Sequence, residues 1–342
     1  MASESPPFWW EKPDWRAFAL SPLSFTYGFV AGRRMHTAKR EKIAAPVLCV
    51  GNFTVGGTGK TPVAIALARQ AKRMQLKPGI LSRGHGGGFS SPHLVDPSHD
   101  SAKHVGDEPL LLAEHAPVAV TPNRAAGAQL LIDRHGCDFL IMDDGFQSAR
   151  IHIDYALVVV DARYGLGNGR VIPAGPLRAR VVDQLVYTSS LLKMGEGTAA
   201  DRVIRQAARA GKPIYEARTR PRGRKAFAGK RFLAFAGIGH PDKFFDTVTG
   251  AGAVVVLSRA FPDHHVYGED ELAELLKTAR DNEIRLITTA KDAARLRHGA
   301  ASAEFLEMLD ILEIDAVFEQ DYAPTRVINE TLEAWRLRRL KG

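Results

Sequence analysis

Hydrophobic positions along the chain fall into two alternating patterns. Short, near-continuous apolar runs cover residues 47–50, 78–81, 118–120, 138–142 and 156–160, as expected of strands buried on both faces. Between them apolar residues return every three or four positions, as in the stretch from 63 to about 74, where Val63, Ile65, Leu67 and Ala68 supply one face. Such alternation predicts an α/β fold, a parallel sheet with helices on both sides. After an arginine-rich connection over 218–230, further strands at 231–236 and near 253–257, 285–288 and 313–318 predict a second, smaller α/β unit. A final helix over 325–340 is expected to pack back on the first unit. The predicted organisation is therefore an N-terminal segment at 1–45, a core at 46–225, a second unit at 226–320 and a C-terminal helix at 321–342.

The N-terminal segment follows neither pattern. Residues 17–32 carry no charge, but this run of 16 residues is shorter than the roughly 20 that a spanning helix needs. Phe8, Trp9, Trp10 and Trp15 precede it, and Arg33, Arg34, Lys39, Arg40 and Lys42 follow. Glu4, Glu11 and Asp14 stand where a signal peptide would be basic. Aromatic rings and cations around a short amphipathic helix suit the plane of a membrane interface; a helix packed on the domain surface is the alternative.

Composition changes little in this picture. The 342 residues are 45% hydrophobic and 25% charged, enough for two folded units. Cys49 and Cys137 sit in apolar runs and read as core residues, which gives no sign of an oxidising compartment. The net charge of +8 favours an anionic partner without choosing among nucleotide, nucleic acid and lipid headgroup.

The strand at 47–50 leads into Gly51-Asn52-Phe53-Thr54-Val55-Gly56-Gly57-Thr58-Gly59-Lys60-Thr61-Pro62 and then a helix. Strand, glycine-rich loop, Gly-Lys-Thr and helix start are the parts of a P-loop, whose backbone amides and helix dipole hold phosphate. Thr54, Val55, Gly56, Gly57, Thr58, Gly59, Lys60 and Thr61 would form the cradle, with Lys60 on the β- and γ-phosphates and Thr61 on Mg²⁺. Thr54 stands where the first glycine of the usual pattern would be. The strand at 139–142 ends in Asp143-Asp144, which supplies the carboxylates for the metal: one toward Mg²⁺, the other toward a nearby loop or lysine.

Several P-loop classes are disfavoured. Partition-type ATPases carry a lysine where Val55 stands, and Thr289-Ala290-Lys291-Asp292 is a poor match to the guanine-reading Asn-Lys-x-Asp. Nucleic-acid binding has only net charge behind it. The chain resembles the tetraacyldisaccharide 4′-kinase family of Gram-negative bacteria over nearly its whole length. The matching blocks are Pro22-Leu23-Ser24 with Tyr27, 51–62, Leu81-Ser82-Arg83-Gly84, Gly106-Asp107-Glu108-Pro109, Asp143-Asp144-Gly145-Phe146-Gln147, 173–178, Ala236-Gly237-Ile238-Gly239 with Pro241, 261–265 and Lys291-Asp292. The resemblance implies an ATP- and Mg²⁺-dependent kinase that phosphorylates the 4′-hydroxyl of a lipid-linked, glucosamine-based disaccharide 1-phosphate. It would work at the cytoplasmic face of the inner membrane, peripheral or shallowly inserted, with no nucleic-acid or protein partner evident. His85, Ala179 and Ala290 depart from the family's pattern. A soluble-metabolite kinase and a membrane-recruited nucleotide switch are the alternatives.

A sugar hydroxyl needs a proton acceptor as it attacks. From the residues alone Asp107 suits a helix N-cap; the resemblance implies instead a catalytic Asp107 assisted by His264 across an interdomain cleft. Of His264 and His265 only one would face such a site in extended chain. Arg83, Arg124 and Arg178 are candidates for ATP or substrate phosphate, or else solvated loop arginines, and Gln147 could orient the metal shell. Arg218, Arg220, Arg222, Arg224 and Lys225 read as an exposed linker face.

Overall fold

The computed structural model describes residues 5–84, 91–148, 150–297 and 301–341. A 3₁₀ turn at Pro7–Trp9 precedes α1 (Trp15–Ala19) and α2 (Ser21–Thr37). The core follows as β1 (Val47–Asn52), α3 (Lys60–Arg73), β2 (Pro78–Ser82), β3 (His93–Leu94), α4 (Ala102–Val105), α5 (Asp107–Ala113), β4 (Val118–Val120), α6 (Arg124–His135), β5 (Phe139–Asp143) and β6 (Tyr155–Asp161). It continues with α7 (Val181–Val186), β7 (Ser190–Met194), α8 (Asp201–Arg209) and β8 (Ile214–Pro221). Next come β9 (Arg231–Ala236), α9 (Pro241–Gly250), β10 (Val254–Ala260), α10 (Glu269–Asp281), β11 (Arg285–Thr289), α11 (Ala290–Leu296), α12 (Ala303–Met308) and β12 (Leu309–Leu312). The chain closes with β13 (Ile314–Phe318) and α13 (Ala323–Leu340).

The large sheet runs β13-β8-β7-β6-β1-β5-β2-β4-β3. All pairs are parallel except the two edges, where β13 and β3 run antiparallel to β8 and β4. Every residue of β1, β2, β5 and β6 is buried because helices cover both faces. Leu48 and Val50 pack with Val63 and Leu67 of α3 on one side, together with Val327 and Ile328 of α13. Val47 and Cys49 point to the other side, with Leu140, Met142 and Leu131. The strand order reverses at β1, flanked by β5 and β6, so the ends of β1 and β5 open on the crevice where α/β sheets bind ligands. The second sheet, β10-β9-β11-β12, is wholly parallel and has its own core around Phe235, Phe261, Leu275 and Phe305.

Two expectations change. The strand expected near 313–318 in the second unit is β13 of the large sheet, in register with β8 from Ile314–Pro221 to Phe318–Ala217. Asp315 at its start is held by Arg69 of α3 at 2.6 Å and Arg222 at 2.8 Å, both from the first unit. Those partners are distant in sequence, and strand periodicity alone does not name them. The connection expected from 218 is still strand as far as Pro221, so Arg218 and Arg220 belong to the sheet.

The N-terminal helices are turned inside out relative to an ordinary surface helix. α2 buries Ser24, Gly28, Gly32 and Met35, while Leu23, Phe25, Tyr27, Phe29 and Val30 are exposed, Phe25 by 74%. The small residues allow close approach to the loop around Val171 and to α7: Ser24 Oγ donates to Val171 O at 2.6 Å, and a Cβ on Gly32 would come within 2.4 Å of Asp183. Trp15, Phe18, Val182 and Val186 extend the exposed apolar surface. Among the described residues no helix is long and apolar enough to cross a membrane.

Candidate functional site

The glycine-rich loop leaves β1 at Asn52 and enters α3 at Lys60. Gly56 and Gly59 take φ values of +97° and +83°, which side chains disfavour and which turn the loop back on itself. Its outer side is strapped by the segment before α7: Val55 N donates to Pro176 O and Arg178 N to Phe53 O, at 2.9 and 3.0 Å. Trp10 lies against the Gly56 corner, and its chain neighbour Trp9 donates its indole N–H to Pro173 O. Thr61 is buried in the first turn of α3. Asn52 Oδ1 and Thr58 Oγ1 are buried beside the cradle without a hydrogen-bond partner among the described residues.

The two carboxylates at the end of β5 have separate environments. Asp144, bent into the left-handed region at φ +51°, receives both arms of the Arg178 fork at 3.0 Å and lies 3.8 Å from Lys60 Nζ. Arg178 also donates to Thr54 O, so one guanidinium joins the start of the cradle to the carboxylate. Asp143 is buried, and its Oδ1 has no hydrogen-bond partner among the described residues. Burial, with the nearby charge of Glu108, pushes its carboxyl up to about 7.

On the far side of Glu108 the second unit comes in. α5 opens with Asp107 and Glu108, and α11 presents Lys291 and Arg295, four residues apart and so on one helix face. Lys291 pairs with Glu108, and Arg295 with Asp107, at 2.6 Å from Nη2 and 3.2 Å from Nε to the same Oδ2. His264 brings Nδ1 to 3.5 Å of that oxygen from the loop after β10, at φ +58°. Burial alone would raise the Asp107 carboxyl, yet His264, Lys291 and Arg295 together hold it far below the usual range. Conversely, the hydrogen bond to Asp107 raises the imidazole of His264. Lys291 and Lys60 draw Glu108 down against its burial, which places α5 within electrostatic reach of the cradle lysine.

A phosphate cradle, a carboxylate-ended strand and an Asp–His pair narrow the field, and comparison with known proteins decides it. The family described as tetraacyldisaccharide-1-P 4′-kinase matches residues 16–333. The chain belongs to this family. Tetraacyldisaccharide 4′-kinases of Mesorhizobium japonicum and of a Chelativorans species are 77% and 55% identical to it, covering 100% and 99% of both chains. The solved "apo" form of LpxK from Aquifex aeolicus in complex with ATP is similar in fold, with TM-score 0.72 at 23% identity over 92% of this chain and 99% of that one.

Seen against the tetraacyldisaccharide 4′-kinase family, the sequence-derived candidates divide. Lys60, Thr61, Asp143, Asp144 and Arg178 converge on the cradle, and Asp107 meets His264. Asp107 is not an N-cap, which falls to Gly106; its Oδ1 accepts from Glu108 N at 3.0 Å. His265 turns away to Glu271 at 2.8 Å and stacks on Phe261. Gln147 donates to Asn52 O and to Gln184 Oε1, bracing the end of β1. Arg124 is 3% exposed and donates through Nη1 to the carbonyls of Ser82 and Thr121, so it ties β2 to α6. Burial pushes its guanidinium down to about 10. Arg83 is exposed at the end of β2. His85 lies outside the described residues. Arg295 was not among the candidates; its spacing from Lys291 on a helix with an Asp between them was the available signal.

Proposed function

We propose that the chain transfers the γ-phosphate of MgATP to the 4′-hydroxyl of a tetraacylated glucosamine disaccharide 1-phosphate. The observation that supports this reading is the ion pair of His264 with Asp107 of α5, a helix that packs both against α11 and against α3 at the end of the P-loop. The donor set suits magnesium: Asp143 offers an unpartnered carboxylate oxygen and Thr61 a hydroxyl at the helix start. Bound there, the cation would neutralise charge on the phosphates. In this reading Lys60 and the amides of residues 56–61 bind the phosphates, and Asp144 sets the position of Arg178 and Lys60. The Asp107–His264 pair handles the hydroxyl proton.

The inverted N-terminal helix supports a peripheral site of action on the inner membrane. A face of aromatic and aliphatic side chains directed outward, with Arg33 and Arg34 at its end, fits an anionic bilayer surface that holds the lipid substrate. Phe25→Glu combined with Phe29→Glu should abolish co-sedimentation with anionic vesicles while the melting temperature stays put; unchanged vesicle binding would remove the membrane from this account.

Transfer of label from γ-labelled ATP to the lipid disaccharide tests the activity itself. Wild-type protein should phosphorylate it and Lys60→Ala should not. Nucleotide binding without labelled lipid would favour a switch over a kinase.

A further inference from the structure

The Asp107–His264 pair is held from behind by a buried network centred on Asp292. Asp292, fully buried in the first turn of α11, accepts hydrogen bonds from Gly237 N at 3.0 Å, Tyr267 Oη at 2.7 Å and Arg295 Nη1 at 2.7 Å through Oδ1, and from Thr289 Oγ1 at 2.6 Å through Oδ2. Arg295 Nη1 also donates to Gly237 O at 2.8 Å, and that same carbonyl receives the backbone N–H of His264 at 3.1 Å. One peptide group therefore sets both the guanidinium that grips Asp107 and the backbone that carries the imidazole.

We propose that Arg295 is a positioning residue of the phosphoryl transfer, fixing Asp107 so that His264 receives the hydroxyl proton. The inference rests on the reading of Asp107 and His264 as the proton-handling pair. Both Asp107 oxygens already face donors: Oδ1 faces Glu108 N, and Oδ2 faces Arg295 and His264. A carboxylate in an arginine fork is a weak proton acceptor, whereas an imidazole backed by that carboxylate is a good one near neutral pH. With Nδ1 turned to Asp107, the partly exposed His264 keeps Nε2 for the substrate; the nearest carboxylate to Nε2 is Asp263 at 3.9 Å. In the step, the 4′-oxygen forms a bond to the γ-phosphorus as the bond from that phosphorus to the bridging oxygen breaks. ADP leaves with the electron pair, and the hydroxyl proton passes to Nε2. Asp107 then stabilises the imidazolium, and Arg295 keeps Asp107 in place.

A simple staple between the two units would share this geometry, so the test uses pH. The charges facing His264 are Asp107 from α5, Arg295 from α11, Asp263 from its own loop and, through Asp107, Lys291 of α11. Arg295→Met removes a cation that disfavours the imidazolium, so the acid limb of the kcat–pH profile should move up by about half a unit to one unit. kcat should fall about tenfold or more, with KM for ATP changed less than about threefold. Arg295→Lys keeps the charge but loses the fork: kcat should fall several-fold with the limb in place. Wild-type kcat in Arg295→Lys, or a fall in Arg295→Met with no movement of the limb, would overturn the proposal. If Arg295→Met does not fold, the lysine variant decides. Full turnover in both Asp107→Asn and His264→Ala would instead remove the underlying pair.

Discussion

The phosphate cradle and the Asp107 junction meet where α5 packs against α3 but are built on opposite plans. The cradle is a single stretch of chain between β1 and α3, shaped by glycines and steadied by a strap at Pro176 and Phe53. The junction draws its side chains from α5, the loop after β10 and α11, and Asp107 and Arg295 are 188 positions apart. The cradle uses backbone amides, which barely change with pH; the junction uses side-chain charges, which do. On the proposed reading, binding phosphate and managing a proton thus sit in parts that can fail independently.

The sharpest way to break that comparison is at Lys60. Lys60→Ala should lower kcat by roughly a thousandfold or more, because on the proposed reading it removes the cation beside the transferring phosphoryl. Asp107→Asn should cost about a hundredfold in kcat while leaving ATP affinity within about threefold, measured by titration calorimetry; a parallel loss of affinity would merge the two regions into one. Gly56→Ala should do the reverse. Forcing a side chain to φ +97° costs about 1–3 kcal/mol, so ATP affinity should weaken about tenfold, with a smaller change in kcat at saturation.

The smallest effect concerns stability. His264 is raised in the fold, so its contribution is complete below its unfolded value near 6.5 and fades as pH climbs through the raised value. Asp107 is lowered, so its contribution is present above about 4 and is lost in stronger acid. The melting temperature difference between wild type and His264→Ala should therefore be larger at about pH 5.5 than at about pH 8.5. An equal difference at both would show that the pair does not bind the units together.

What could be read in advance follows the same divide. Residues 54–61 are contiguous, and each glycine there has a local reason that survives without the fold. The ends of β5 and β1 were equally plain, since buried parallel strands are near-continuous apolar runs. Arg124 was harder to read: an arginine at a helix start after Thr-Pro-Asn looks like an anion site, and only the fold shows the Ser82 and Thr121 carbonyls that its Nη1 meets. β13 was placed in the wrong unit for a similar reason: its partner β8 lies almost a hundred residues earlier, and pairing is decided by side chains such as Arg222 and Asp315. Arg295 needed knowledge that α11 faces α5.

Trp9 and Trp10 have a practical consequence. Their ring contacts and hydrogen bonds reach Pro173, Tyr164, His240 and the Gly56 corner, so these two residues form a wall beside the glycine-rich loop. Cutting the chain back to remove the exposed apolar face of α2 would strip that wall along with it. Charged replacements at Phe25 and Phe29 are the better route to a well-behaved preparation, since they change the outer surface and leave the tryptophans seated.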